Sequence, residues 1–171
     1  MSFTDEQIRT IIRDTVSKLM AQENGAASAG CLFDDVNDAI AAAKAAQAKL
    51  MMMSLEERGR LVEAMRAAAV KNAEYLAKLA HEETGYGRVE DKTKKNILTA
   101  QKTPGIEDLV TDAYSGGDGL TIVESAPYGV IGSITPSTNP TSTVVNNSMS
   151  MIAAGNAVVF NPHPAAKKCS Q

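Results

Sequence analysis

Residues 127–164, PYGVIGSITPSTNPTSTVVNNSMSMIAAGNAVVFNPHP, constrain this chain more than any other stretch. Val130, Ile131 and Ile134 form a short apolar run among glycines, whose length and β-branched content predict a buried strand. Pro136 ends it, because proline cannot donate to a sheet ladder. Ser137-Thr138-Asn139-Pro140 then reads as a helix start, a polar cap followed by proline at the first helical position. Val144, Val145, Met149 and Ile152 recur at helical spacing, and Gly155-Asn156 ends the helix because both residues tolerate positive φ. Ala157–Phe160 is a second apolar strand, and 161–164 turns the chain toward a further helix at 164–171. The sum is one β-α-β unit with a right-handed crossover.

The loop after the first strand of such a unit is where open parallel sheets bind ligands. A helix N-terminus there offers free N–H groups and a partial positive charge. Thr135, Ser137, Thr138, Asn139, Thr141, Ser142 and Thr143 crowd around it. The turn suits a phosphate, a carboxylate or a developing oxyanion, and equally an ordinary polar cap; this loop alone does not separate them. Neither GxGxxG nor GxxxxGK[ST] occurs in the chain, which weighs against a generic nucleotide-binding protein of another class.

Upstream, residues 34–100 read as helices. Val36, Ala39, Ile40, Ala43, Ala46 and Leu50 mark one stripe. Ser54 and Glu57 have capping-box spacing, with Leu61, Ala64, Met65 and Ala68 below them. Asn72 is placed to cap a third helix, with Leu76, Leu79 and Ala80 inside and Gly85 at its end. A fourth spans 91–100, its Lys92, Lys94 and Lys95 read as a solvated face. His81-Glu82-Glu83 reads as a helix end before a glycine turn. Thr103-Pro104-Gly105 breaks the helices, and the turn 115–119 leads into a short strand with Leu120, Ile122 and Val123.

The N-terminus is organised differently. Thr4 and Gln7 have capping-box spacing, and Ile8, Ile11, Ile12, Val16 and Leu19 line one face of an amphipathic helix over 4–20. Residues 22–32 then form a small-residue linker. A helix held off by a linker suggests docking onto a partner; the alternative is that it packs back on its own domain or pairs within an oligomer.

Composition excludes several classes. A net charge of -3 gives no broad basic surface for nucleic acid, and the absence of Trp argues against base stacking. No apolar run is long enough to span a membrane, and a secretory signal is not expected from the acidic, amphipathic start. Two distant cysteines and two histidines predict neither a disulfide framework nor a metal site, and fit a reducing cytoplasm. Cys31 in the linker and Cys169 near the end have no neighbouring base in sequence, so neither is expected to be a catalytic nucleophile.

PYGVIGSITPSTNPTST, SMIAAGNAVVFNPHPAAKK and ETGYGRVEDKTKKN together resemble the CoA-acylating branch of the aldehyde dehydrogenase superfamily, over most of residues 33–171. The resemblance implies an α/β fold: N-terminal helices followed by part of a Rossmann-like parallel sheet, in an incomplete cofactor-binding domain, 33–171. It implies oxidation of a short-chain aldehyde to acyl-CoA with NAD, through a cysteine thioester on a part of the enzyme beyond this N-terminal fragment. In the non-acylating branch an asparagine donates to the oxyanion; ungapped alignment puts Thr138 in its place and Asn139 one later, and both stay candidates. Ile134, Thr135, Pro136 and Ser137 are implied to pass beneath the nicotinamide ribose and pyrophosphate. Asn161 stands where that branch has a lysine near the adenosine ribose, which favours NAD over NADP; His163 lies beside it, with a cofactor or CoA role or a purely structural one. The family implies a homo-oligomer, joined through the strands near 120. Some members carry an N-terminal peptide that targets them to a bacterial microcompartment, so 4–20 is a candidate contact with a shell protein inside one. The competing reading is a non-catalytic targeting or assembly module.

Overall fold

The computed structural model describes residues 31–171, and the chain divides into two units, 1–35 and 36–171; the account below concerns the second. The proposed helix 4–20 therefore lies outside the described residues.

Four helices come first: α1 (Val36–Leu50), α2 (Leu55–Lys71), α3 (Ala73–Thr84) and α4 (Val89–Lys102). The capping box forms as its spacing requires. Ser54 Oγ accepts from the Glu57 N–H at 3.2 Å, and Glu57 accepts from the Ser54 N–H at 2.8 Å. The same amide, with the Ser54 hydroxyl, holds the Glu57 carboxyl below the usual carboxylate range. Gly85 closes α3 at φ 70, a conformation that favours glycine. Asn72 does not cap α3 with its side chain; Nδ2 donates back to the Ala68 carbonyl at 2.9 Å.

The buried face of α2 differs from the expected stripe. Val62 and Ala69 are buried, while Leu61 is 37% exposed. The reason is tertiary: α2 packs on α4 and α5, and Val62 meets Met149, Ala153, Met65 and Ile106 there. Fully burying a side chain such as Met149 contributes about 1.5–3 kcal/mol. On α3 the buried row is Ala73, Ala77 and Ala80, small side chains that let α4 approach closely. Asn96 of α4 sits in that seam, donating to the Ala73 carbonyl at 3.0 Å and accepting from Thr141 at 3.0 Å.

Strands β1 (Asp112–Gly116) and β2 (Gly119–Val123) pair as an antiparallel hairpin. The expected turn over 115–119 is shorter than predicted, because Ser115 and Gly116 belong to β1 and only Gly117-Asp118 connects the strands. Every residue of the hairpin is exposed.

The β-α-β unit is present as β3 (Val130–Thr135), α5 (Pro140–Ala153) and β4 (Ala157–Pro162), with β3 and β4 parallel and in register from Val130↔Ala157 to Thr135↔Pro162. The fold is α/β, as expected. Helices α1 and α5 both pack against this sheet. The expectation of a buried β3 holds in part, with Val130 and Ile131 half-buried, and fails at Ile134. Ser133 and Thr135 are buried, on the face where Asn147 of α5 donates to Ser133 Oγ at 2.9 Å. The two-residue period of a strand puts Ile134 on the other face, where it is 84% exposed. Gly155 ends α5 at φ 81; a Cβ there would lie 3.0 Å from Arg58, whose guanidinium donates to the Ala153 carbonyl at 2.9 Å. The helix expected over 164–171 is only a 3-10 turn, Pro164–Ala166.

Candidate active site

The carboxyl ends of β3 and β4 lie side by side, so the two groups of residues assigned to the dinucleotide meet at one edge. Ile134 faces Asn161 across the ladder, and the His163 N–H donates to the Thr135 carbonyl at 3.0 Å. Ile134, Pro136, Asn161 and His163 are exposed and Ser137 is half-buried. Thr135 is buried, and its Oγ1 has no hydrogen-bond partner. The imidazole of His163 is tied to its own loop, Nδ1 accepting from the Ala165 N–H at 3.1 Å.

The turn from β3 into α5 carries the other two assigned residues. Asn139 occupies the N-cap position, yet its side chain caps nothing in α5. It is drawn away instead: Lys95 Nζ of α4 donates to Asn139 Oδ1 at 2.7 Å. One helical turn back, Lys92 Nζ donates to the Thr138 carbonyl at 3.1 Å. Burial, with the Lys95 charge adding to it, holds Lys92 below the ordinary lysine range. The far end of the Asn139 amide, Nδ2, reaches only Thr138 Oγ1, at a long 3.4 Å. A donor end thus faces the turn, beside first-turn N–H groups that no side chain caps.

This adds to the reading of Lys92, Lys94 and Lys95 as a solvated face. Lys94 and Lys95 are exposed and Lys92 is half-buried, but Lys92 and Lys95, three residues apart on α4, also bond to the Thr138–Asn139 turn. Their spacing put them on one side of a helix; nothing local revealed what that side would meet.

A groove of about 460 Å³ opens beside the turn, between α4 and α5. Lys95, Thr99, Asn139, Ser142, Asn146 and Asn147 are among its lining residues.

Cys169 is buried against Ala80 and Ala166, and burial together with Glu83 pushes its thiol up to about 11. A thiol so protonated at neutral pH is a poor nucleophile. Glu83 has a clearer task than closing α3. It accepts from the Lys168 and Cys169 N–H groups at 2.8 and 2.7 Å, fastening the 164–169 turn to α3. Burial pulls its carboxyl upward, but those amides and the Lys168 charge outweigh this and leave it below the usual range. Among the described residues, no cluster of three or more His, Cys, Asp or Glu side chains has the geometry to hold a metal ion. None of the described helices is long and apolar enough to cross a membrane.

A family model described as the aldehyde dehydrogenase family matches residues 11–171. The chain belongs to the aldehyde dehydrogenase family. Within that family, the acetylating acetaldehyde dehydrogenase of Bilophila wadsworthia is 46% identical over all of this chain and 37% of its own length. A propionaldehyde dehydrogenase from the fucose-utilisation microcompartment of Clostridium phytofermentans is 53% identical, with a TM-score of 0.79 over 81% of this chain and 32% of that one. The Rhodopseudomonas palustris propionaldehyde dehydrogenase solved with bound propionyl-CoA is 50% identical, with a TM-score of 0.78 over 81% and 31%. The chain thus spans about a third of the length of these relatives, and matches their N-terminal part. The resemblance to the CoA-acylating branch is borne out at the level of family and fold.

Proposed function

We propose that this chain forms the N-terminal part of a CoA-acylating aldehyde dehydrogenase, which oxidises a short-chain aldehyde to its acyl-CoA with NAD. The observation that carries the reading is the Thr138–Asn139 turn. A donor amide and uncapped helix N–H groups meet there at the mouth of a groove, in a chain whose relatives are named for this chemistry.

In this reading a cysteine thiolate outside the segment attacks the aldehyde carbonyl, since Cys169 is held protonated. The carbonyl oxygen becomes an oxyanion, and the Asn139 Nδ2 or the Thr138 hydroxyl donates to it, together with the first amides of α5. Preorganisation is the gain: donors already aimed need no reorientation as charge develops. The edge formed by exposed Ile134, Pro136, Asn161 and His163, with Ser137 half-buried and Thr135 buried behind it, fits a dinucleotide. Its exposed residues stand at the ends of both strands. Bound there, NAD supplies the hydride acceptor. Asn161 carries no charge for a 2′-phosphate, which supports NAD over NADP. Coenzyme A, the second substrate, takes the acyl group from the thioester. The intact enzyme is read as a cytoplasmic homo-oligomer held inside a bacterial microcompartment, with 4–20 contacting a shell protein.

The test uses the intact enzyme that contains this segment. Acyl-CoA formation requires NAD and CoA together, and Asn139→Ala lowers kcat by about 10²–10³-fold. Should Thr138→Val be the damaging change and Asn139→Ala silent, the donor is Thr138. Release of free acid at full rate without CoA overturns the acylating reading. A role confined to targeting would leave both substitutions without effect on turnover.

A further inference from the structure

We infer that Lys95 is a positioning residue: its ammonium group fixes which end of the Asn139 amide faces the reacting carbonyl. The inference rests on the reading of Asn139 as oxyanion donor.

An asparagine side chain is nearly symmetric in shape but not in chemistry. One end accepts hydrogen bonds and the other donates them. The torsion that exchanges them is broad and roughly two-fold, so a free asparagine presents either end to its surroundings. Asn139 has lost that freedom. Lys95 Nζ lies 2.7 Å from Oδ1, and an ammonium group has only donors. Rotating the amide by half a turn would press its NH₂ against the ammonium and forfeit a charge-assisted hydrogen bond. Nδ2 is therefore directed away from α4, toward Thr138 Oγ1, where its one contact is 3.4 Å long and easily surrendered to a better acceptor.

The usual alternative for this residue makes the arrangement informative. An asparagine at an N-cap position ordinarily turns its Oδ1 onto the N–H groups of the first helical turn. Asn139 does not. Lys95 takes the acceptor end in place of α5, so the helix keeps its first-turn N–H groups and the amide keeps its donor. The backbone is held as well, because Lys92 donates to the carbonyl of the preceding residue, Thr138. Both clamps come from α4, whose own placement is fixed by the buried Asn96 between α3 and α5.

The experiment is a double-mutant cycle in the intact enzyme. Lys95→Met keeps the stem and removes the donor; it should lower kcat by roughly 10-fold or more, less than loss of the oxyanion donor itself, which costs about 10²–10³-fold. The aldehyde KM and the melting temperature should stay near those of the parent, since Lys95 is exposed and carries no core packing. Lys95→Arg should restore most of the rate. Lys94→Met, from the exposed neighbour on the same helix, should match the parent. In an Asn139→Ala background, Lys95→Met should have no further effect, because the two residues act as one unit. Unchanged kcat in Lys95→Met overturns the positioning role while leaving the donor reading intact. Full additivity with Asn139→Ala overturns it too, by showing that Lys95 acts through another group. A silent Asn139→Ala removes both the donor reading and the inference built on it.

Discussion

Cys169 has lost the chemistry that cysteine usually brings. Buried against Ala80 and Ala166 and close to the Glu83 carboxylate, it holds its proton to about 11. The sign follows from that direction. A thiol raised in the folded state contributes stability that is full below its ordinary value and is lost as pH climbs through about 11. A thiol-specific reagent at neutral pH should therefore label exposed Cys31 quickly and Cys169 only after unfolding; rapid labelling of both in the native protein would contradict the burial argument. Sequence reasoning excluded Cys169 as a nucleophile because no base stood near it, and the structure gives a firmer reason. The same reasoning could not find Lys95. Its partner lies 44 residues away, and a charged helix face looks identical whether it meets water or an amide. Glu83 escaped for the same cause, its partners being 85 and 86 residues distant.

At the scale of elements, local signals served well wherever a residue's own backbone decided the outcome. The Ser54–Glu57 box, Gly85 at φ 70 and Gly155 at φ 81 end or begin helices where they were expected. Faces were harder. Which side of α2 is buried depends on α4 and α5, and which side of β3 is buried depends on α5. The hairpin β1–β2 shows the limit most plainly. Only β2 was legible, since Asp112–Gly116 lacks the apolar alternation that marks a strand. Tyr114, Leu120 and Ile122 are each more than half exposed on it. An open two-stranded ribbon with that much apolar surface is marginal on its own in water. We propose that it forms part of the subunit contact in the proposed homo-oligomer. Replacing Leu120 and Ile122 by threonine in the intact enzyme should lower the assembly state seen by sedimentation and leave the helical signal unchanged. An unaltered sedimentation coefficient would remove the hairpin from the interface.

Across the whole molecule, the parallel β-α-β order was legible because proline and glycine punctuate it at Pro136, Pro140 and Gly155, and the ladder runs in register from end to end. The way helices α1–α4 surround it was not, because helix packing depends on alanine rows and arginine reach rather than on any local pattern. The proposed encapsulation belongs to this scale as well. The intact enzyme without residues 1–22 should turn over at nearly the parental rate yet fail to co-purify with shells; a collapse in rate would point instead to a helix packed on its own enzyme. The lysine clamps on the Thr138–Asn139 turn carry one more consequence. Two segments over 40 residues apart in sequence behave as a single exchangeable part. A chimera that imports a relative's 135–140 loop without its matching α4 inherits the words of the donor without their grammar, so transplants between family members should travel as a pair.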